Sequence, residues 1–401
     1  MEDPGTGAAH GGEESRPVHG GSGADGPYDA LLLVSFGGPE GPDEVLPFLR
    51  NVLSGRNVPE ERVAEVAEHY HHFGGISPIN GQNRALVAAL GAALPAAGLD
   101  LPVYWGNRNW RPMLAEELAR MRDDGVRRAL AFVASAYASS SGCRQYLDDI
   151  SVARDAVGPD APVVDKLRLF FNHPLFIGTW VESVRRSLEE ARTGGSVPSG
   201  SVPAGSVPSG PVPSGSVPSG SVPSGSVPAS AGPPASGGPF VLFTAHSIPV
   251  AMAANCDYVA QVTETARLVA AGAGLDEGGW RVVWQSRSGP PSQPWLAPDV
   301  VDAMAELPEG STVVLAPIGF VSDHMEVVYD LDTVAAAAGS ARAQRVLRAA
   351  TPGTDPSFVG MICALVAERL DASVPRLAIG QFGPAPDRCA PGCCRGPARP
   401  S

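Results

Sequence analysis

Short apolar runs that end in glycine, proline or a small polar cluster alternate with amphipathic stretches along most of this chain, and that alternation leaves few folds open. The first run, Ala30–Phe36, closes on Gly37-Gly38-Pro39, and Pro102–Trp105 and Ala129–Ala134 follow. Between them lie the helix-like stretches Glu60–His72, Asn83–Ala97 and Leu114–Arg122. A second set of runs comprises Val163–Phe170, Phe240–Thr244, Arg281–Trp284 and Thr312–Ala316, with helical patterns over Phe176–Arg192, Val259–Ala271 and Pro356–Leu370. Continuous apolar strands that alternate with helices predict parallel sheets covered on both faces. The expected fold class is α/β, with Rossmann-like lobes over residues 27–160 and 161–380 and a cleft between them.

Two segments break the alternation. Residues 1–26 are acidic and Gly-rich and read as a disordered tail. From Ser196 to Ala229 the pentapeptide Ser-Val-Pro-Ser-Gly recurs with small variations. Proline blocks helix there and no large side chain is present to build a core, so 194–238 reads as a disordered loop inserted in the second lobe. Lengthening a connection from about 5 to about 45 residues costs only about 2 kcal/mol of closure entropy, which a fold can carry. A Pro-rich docking site for a partner is the alternative. The last residues, 381–401, form a Cys-bearing tail.

Charge excludes two classes of partner. With 29 Lys and Arg against 42 Asp and Glu, the net charge is −13. That balance argues against a general nucleic-acid footprint and against a basic membrane-surface helix. The longest apolar stretch, Ala85–Leu99, is broken by Pro95 and is too short to cross a bilayer. No basic region followed by an apolar run opens the chain, so a cytoplasmic location is expected. Six Cys in a chain of this size do not read as a disulfide framework. Lys166 is the only lysine, which reads as compositional bias.

In open parallel sheets, ligands bind beyond the carboxyl ends of the strands. The residues just past each run are therefore the candidates. In the first lobe they are Ser35 to Pro39, Gly106-Asn107-Arg108-Asn109-Trp110, and Ser135-Ala136-Tyr137 leading to Ser139-Ser140-Ser141-Gly142-Cys143. In the second they are Ala245-His246-Ser247-Ile248-Pro249, Gln285-Ser286-Arg287, and Pro317 through Glu326. His246 follows an apolar strand among small residues; a histidine that only hydrogen-bonds its loop is the bland alternative. Asp323, His324, Glu326, Asp330 and Asp332 cluster at the start of an apparent helix, where acids also suit the helix dipole. Glu326 and Asp330, four apart, share a face. A His and a carboxylate across a cleft supply a general base and a borderline-hard divalent-metal site. No G-x-G-x-x-G follows the first strand, and no Walker loop or G-x-S-x-G elbow occurs.

Together these segments resemble the ferrochelatase family. The matching stretches are Leu33-Val34-Ser35-Phe36-Gly37-Gly38-Pro39, Phe73-Gly74-Gly75-Ile76-Ser77-Pro78, Phe243-Thr244-Ala245-His246-Ser247-Ile248-Pro249, Trp284-Gln285-Ser286 with Pro294-Trp295-Leu296, and Gly319 through Asp330. The resemblance implies chelatase-type lobes and insertion of Fe²⁺ into a porphyrin in the cleft as a step of heme biosynthesis. It makes His246 and Glu326 the catalytic and Fe²⁺-handling pair. It places Phe36, Ser77 and Tyr146 at positions that contact the porphyrin, with Arg50 or Arg56 as a propionate partner. Some relatives carry a Tyr at the Phe36 position that ligates the product iron; Phe has no oxygen for that. Asp330 continues an acidic line from Glu326, and Val334 interrupts it.

Cys389, Cys393 and Cys394 crowd near the C-terminus, which suggests metal ligation rather than core packing. Actinobacterial-type ferrochelatases pair a Cys in a Ser-rich stretch with C-terminal Cys to hold a [2Fe–2S] cluster. That resemblance makes Cys143 the fourth ligand and points to coproporphyrin III as the substrate. A Zn site of four Cys is the alternative. Cys256 and Cys363 read as ordinary packing residues. His69, His71 and His72 read as helix-end residues, and His173 before Pro174 as structural. Expected partners are the porphyrin, Fe²⁺ and a downstream heme-pathway enzyme. Other readings are a protoporphyrin IX ferrochelatase, a Co²⁺ or Ni²⁺ chelatase, and a porphyrin- or haem-binding sensor or carrier without turnover.

Overall fold

The computed structural model describes residues 27–55, 58–194, 238–289, 292–390 and 392–394. The tail expected over 1–26, Arg56 and the pentapeptide repeat lie outside the described residues.

Among the described residues, two four-stranded parallel sheets form the frame. In the first, β1 (Ala30–Ser35), β2 (Val103–Asn107), β3 (Arg128–Val133) and β4 (Val163–Lys166) lie in the order β2-β1-β3-β4. In the second, β5 (Phe240–His246), β6 (Trp280–Gln285), β7 (Thr312–Ala316) and β8 (Arg345–Arg348) repeat that order as β6-β5-β7-β8. Every residue of β1 is buried, so this strand has no solvent face and reads as a continuous apolar run. In both sheets the strand order reverses beside the first strand. Each sheet therefore has a switch point, between β1 and β3 and between β5 and β7, where crossovers leave in opposite directions and a crevice opens.

The expected boundary between the lobes needs correction. Val163–Lys166 pairs parallel to β3, with Arg128 opposite Val163, so this strand completes the first sheet rather than starting the second. The reason is the helix Gln145–Val157, a short crossover that returns the chain beside β3. The remainder of the expected run, Leu167–Phe170, is buried but is not strand. Strand β8 carries Arg at both ends and is only half-buried, so it lacks the continuous apolar signal.

The two lobes also share one core. Leu31, Leu33 and Phe132 of the first sheet join Phe243 and Val314 of the second in a single buried cluster. The helices Pro174–Thr193 and Pro356–Leu370 fill the space between, and Phe132, Phe170, Phe176 and Phe358 stack edge-to-face or offset there. Truncating Phe358 to Ala would cost about 3–5 kcal/mol. Across the seam the buried Tyr137 hydroxyl donates to the Ile318 carbonyl at 2.8 Å. Beyond Leu370 the chain runs to Cys394 as a strap without helix or strand among the described residues. Among the described residues, no helix is long and apolar enough to cross a membrane.

Candidate active site

His246 is the last residue of β5, which runs two residues past the Thr244 end that the sequence pattern suggests. The chain around it is closely fitted. A Cβ on Gly319 would lie 2.6 Å from Ala245 Cα, so only glycine lets the loop after β7 pass this close to the strand that carries His246. The Gly319 N–H donates to the Thr244 carbonyl at 3.0 Å. Tyr258 donates its hydroxyl to the His246 carbonyl at 2.9 Å. The imidazole Nδ1 sits 2.5 Å from the Ser247 carbonyl, which aims Nε2 at the cleft.

Glu326 enters from the loop after β7, and its Oε1 lies 3.5 Å from His246 Nε2. The two side chains are 30% and 49% exposed, open enough for a ligand to reach between them. Burial alone would lower the His246 pKa. The Glu326 charge and hydrogen bond, the Ser247 carbonyl and the Asp330 charge outweigh it and raise the group to about 9. Burial would likewise raise Glu326, but His246 and His324 hold it down at about 2. At neutral pH the resting pair is thus imidazolium and carboxylate. A neutral imidazole, able to bind a metal or accept a proton, arises only when that proton leaves.

The acidic segment is not an ordinary helix. His324 caps it, its Nδ1 accepting from the Glu326 N–H at 3.2 Å. From Val328 to Ala335 the backbone winds as a π-helix, a rare wide turn that is frequent at functional sites. Glu326 and Asp330 both act on His246, as their shared face predicts. Burial raises Asp330, the Ser286 hydroxyl hydrogen bond opposes that, and the Glu326 charge adds to it, leaving the group at about 6. Gln285 is buried and donates to the Glu326 carbonyl at 3.0 Å while accepting from Thr244 Oγ1 at 2.6 Å. Sequence reasoning placed Gln285 and Ser286 at a strand end without giving them this supporting role. Val334, the next step of the acidic line, is 40% exposed.

The residues expected to touch a porphyrin fall in two groups. Phe36 and Tyr146 flank the guanidinium of Arg108, whose Cζ lies 5.7 Å and 5.0 Å from their ring centres. Arg108 itself is 8% exposed and pairs with Asp149 at 2.8 Å. Sequence reasoning placed it among the residues just past the second strand without giving it this role. Ser77 is buried beside Gly38, and its N–H donates to the Pro39 carbonyl at 2.8 Å. Gly75 makes that approach feasible, since a Cβ there would lie 2.4 Å from Pro42 Cα. Arg50 sits in the last turn of the helix Val45–Val52, 63% exposed, 3.8 Å from Glu60. The structure does not bring Arg50 to the Phe36–Tyr146 group through any direct contact among the described residues.

His69 stacks on Tyr329 with centroids 3.8 Å apart and planes 14° off parallel, which joins the helix Glu60–His72 to the π-helix. His173 is a buried cap whose Nδ1 accepts from Leu175 N–H at 3.2 Å; burial, then Arg168, pulls it down to about 4. Cys363 lies in the core of the helix Pro356–Leu370, and Cys256 is half-buried against the Met252 carbonyl.

Cys143 lies in a second π-helical turn, Ser140–Arg144, capped by Ser139 Oγ accepting from the Gly142 N–H at 2.8 Å. The strap delivers the other cysteines to it. Cys143 hydrogen-bonds Cys389, Cys389 reaches Cys393, and the Cys393 and Cys394 sulfurs are 3.5 Å apart. The hydrogen bond from Cys143, opposed by burial and aided by Cys393 and Lys166, lowers Cys389 to about 6. The hydrogen bond and burial push Cys143 far up. The lone lysine therefore acts on the cysteine row, a role its scarcity did not suggest. Among the described residues, no three or more His, Cys, Asp or Glu gather tightly enough to hold a single metal ion.

Comparison with known proteins is unambiguous about the family. The ferrochelatase family model matches residues 28–200 and 230–370. A protein named ferrochelatase from Rhodopirellula baltica is 49% identical over 92% of this chain and 93% of its own length. Proteins named coproporphyrin III ferrochelatase from Streptomyces griseus and Nocardia farcinica are 46% and 44% identical, each over 93% of this chain and over 94% and 98% of their own lengths.

Proposed function

This chain belongs to the ferrochelatase family and is a metallochelatase of heme biosynthesis, and from that premise we propose that it inserts Fe²⁺ into coproporphyrin III. The observation that carries the mechanism is the His246–Glu326 pair, 3.5 Å apart and open to the cleft at the switch point of the second sheet. The names of the actinobacterial relatives support the tetrapropionate substrate.

Metallation replaces two pyrrole protons with one Fe²⁺. Glu326, ionised at any working pH, offers the first anionic oxygen to the incoming ion. Capture by His246 Nε2 requires the imidazolium to release its proton, so iron uptake and proton loss are coupled at that atom. As Fe²⁺ passes from Nε2 to the ring, the freed imidazole can take one of the two pyrrole protons and the Asp330 carboxylate the other, and both then leave to solvent. Phe36 supplies flat apolar surface for the macrocycle, with Tyr146 buried behind it. Arg108, held between the two rings and paired with Asp149, fixes their spacing. Ser77 and Arg50 are proposed as propionate contacts from the loops after β1.

The same reading assigns a [2Fe–2S] cluster to Cys143, Cys389, Cys393 and Cys394. Four thiols joined in a row offer the Cys₄ ligand set of a [2Fe–2S] cluster, a set that a single Zn would share. Lys166 favours their thiolate forms. Bound there, the cluster would supply one-electron redox chemistry, which metallation does not use. A cytoplasmic location is part of the proposal; six cysteines without a disulfide fit a reducing compartment.

The test is anaerobic metallation with Fe²⁺ and coproporphyrin III or protoporphyrin IX in parallel, followed by the porphyrin absorption bands. Faster conversion of coproporphyrin III is expected. Preference for protoporphyrin IX would overturn the substrate assignment. Binding without conversion of either would leave a carrier or sensor.

A further inference from the structure

We propose that Arg348 is a positioning residue for metal insertion: its guanidinium braces the acidic turn that carries Glu326 and Asp330 by gripping Asp323 on one side and Asp332 on the other. The geometry is specific. Nη1 and Nη2 of Arg348 meet the two Asp323 oxygens at 2.9 and 3.2 Å, a bidentate pair. Nε meets Asp332 Oδ1 at 2.6 Å. The Arg348 side chain is 10% exposed, and Asp323 is 16% exposed.

Position in the fold explains what the brace does. Arg348 is the last residue of β8, in register with Leu315 of β7. The acidic segment springs from the loop that follows β7. One side chain at the sheet edge thus spans His324, Glu326 and Asp330, holding the residue before them and the residue after them. A second tie comes from the first lobe. Gln82 Oε1 accepts the Asp323 N–H at 2.8 Å, and Thr351 Oγ1 donates to Asp323 Oδ1 at 3.0 Å. Gln82 belongs to the helix Ile79–Ala96, so Asp323 is the point where both lobes fix the catalytic loop.

Behind Asp323 and Arg348 lies a cavity of about 340 Å³, also walled by Gln82, Thr351 and Asp355, rather than packed side chains. Much of the segment that Arg348 supports is a π-helix, a winding that is rare beyond a single turn. Without the guanidinium, Asp323 and Asp332 would face each other as like charges beside that open space. The turn would then relax away from β8, and Glu326 would leave its 3.5 Å position against His246.

The inference rests on Glu326 and His246 being the metal-handling pair, and the test separates the two claims. Arg348→Ala, Arg348→Lys, Asp332→Asn and Glu326→Gln are compared for kcat, KM for Fe²⁺, porphyrin Kd by fluorescence quenching, thermal midpoint and the His246 imidazole resonances. Arg348→Ala should lower kcat by about tenfold to a hundredfold, the loss associated with a displacement near 1 Å. Porphyrin Kd should stay unchanged and the His246 resonances should shift. Arg348→Lys should recover only part of kcat, because an ammonium cannot bridge both carboxylates as a planar fork does. A lowered thermal midpoint with kcat per folded site and His246 resonances unchanged would show a merely structural role and overturn the proposal. If Arg348→Ala does not fold, Asp332→Asn decides: a smaller kcat loss in the same direction supports the brace, and no loss overturns it. Full metallation by Glu326→Gln would instead sink the assignment of the pair, while a His246 shift in Arg348→Ala would still report the brace.

Discussion

The cleft pair and the cysteine row are built alike at first sight and differ in what holds them. Each rests on a π-helical turn, Val328–Ala335 for one and Ser140–Arg144 for the other. The cleft pair draws both members from one sheet, His246 from the end of β5 and Glu326 from the loop after β7. The cysteine row draws Cys143 from the first lobe and the rest from a strap with no regular structure. That strap is fastened mostly by side chains, with a backbone tie from the Ile379 N–H to the Asn172 carbonyl at 3.0 Å. Arg168 pairs with Glu368 and donates to the Leu377 carbonyl at 2.8 Å; Asn172 donates to the Phe382 carbonyl at 2.8 Å; Glu264 accepts from the Gln381 N–H at 2.8 Å. A site at a sheet's switch point is as rigid as the sheet. One delivered by a strap is as firm as its few ties, and can be lost while the fold stands.

The largest expected effect separates the two regions most sharply. His246→Ala or Glu326→Gln should lower kcat by about 10²- to 10⁴-fold, the range for a lost general base, with porphyrin binding retained. In Glu326→Gln the His246 titration midpoint, read by NMR, should drop from about 9 by more than a unit, since its main counter-charge is gone and burial persists. The sign has a consequence for stability. His246 is raised above its unfolded value, so its contribution is complete below about pH 6.5 and vanishes as pH rises through about 9. A midpoint that stays near 9 in the variant would break the pairing.

Next in size is the strap. Arg168→Met removes the close, two-pronged partner of Glu368, 4% exposed, and leaves it Arg376 at 3.8 Å, so the loss should approach but not exceed the about 3–5 kcal/mol of a buried pair that loses one partner. Thermal unfolding should show it, and visible cluster absorption should be lost before metallation is. Cys143→Ser is milder for the fold: absorption should disappear while metallation of the folded protein stays within about twofold, the kcat change of a site not in contact with the reaction. Equal losses of both would mean that the cysteine row and the cleft are one functional unit.

The same contrast explains what was legible beforehand. His246, Glu326 and Asp330 could be read because strand ends and helix periodicity are local signals. The strands β1, β5 and β7 were legible because both their faces are buried. Strand β8 was not, because an edge strand with Arg at each end carries no apolar run, and Arg348 went unnoticed with it. Arg108 shows its role only when Phe36 and Tyr146, far apart in sequence, close around it. The assignment of Val163–Lys166 to the wrong lobe came from the same blindness: which sheet a strand joins is decided by the crossover helix Gln145–Val157, not by the strand.

Smaller still should be the effect of Lys166. Its charge favours the thiolate forms of Cys143 and Cys389. With a cluster bound, Lys166→Gln should lower the reduction potential by on the order of tens of millivolts, as loss of a nearby screened cation disfavours the more negative reduced state. Voltammetry of the purified variant checks this, and an unchanged potential would place Lys166 outside the cluster's field.

The smallest expected effect tests whether the cleft is as self-contained as its sheet suggests. His69, on the first lobe, stacks on Tyr329, the neighbour of Asp330 on the second. Burial first, then the Arg62 charge, lowers the His69 pKa, so the ring is neutral at pH 7 and the contact is a stack of two uncharged rings. Such a pair contributes about 0.5–1.5 kcal/mol. His69→Ala should therefore change KM for porphyrin by about threefold and leave kcat alone, because the sheet and Arg348 still hold Glu326. His69→Phe, which keeps the stack, should restore KM. If His69→Ala instead lowers kcat as far as Arg348→Ala does, the acidic turn depends on the first lobe as much as on its own sheet, and the cleft pair is then as dependent on a contact between lobes as the cysteine row is.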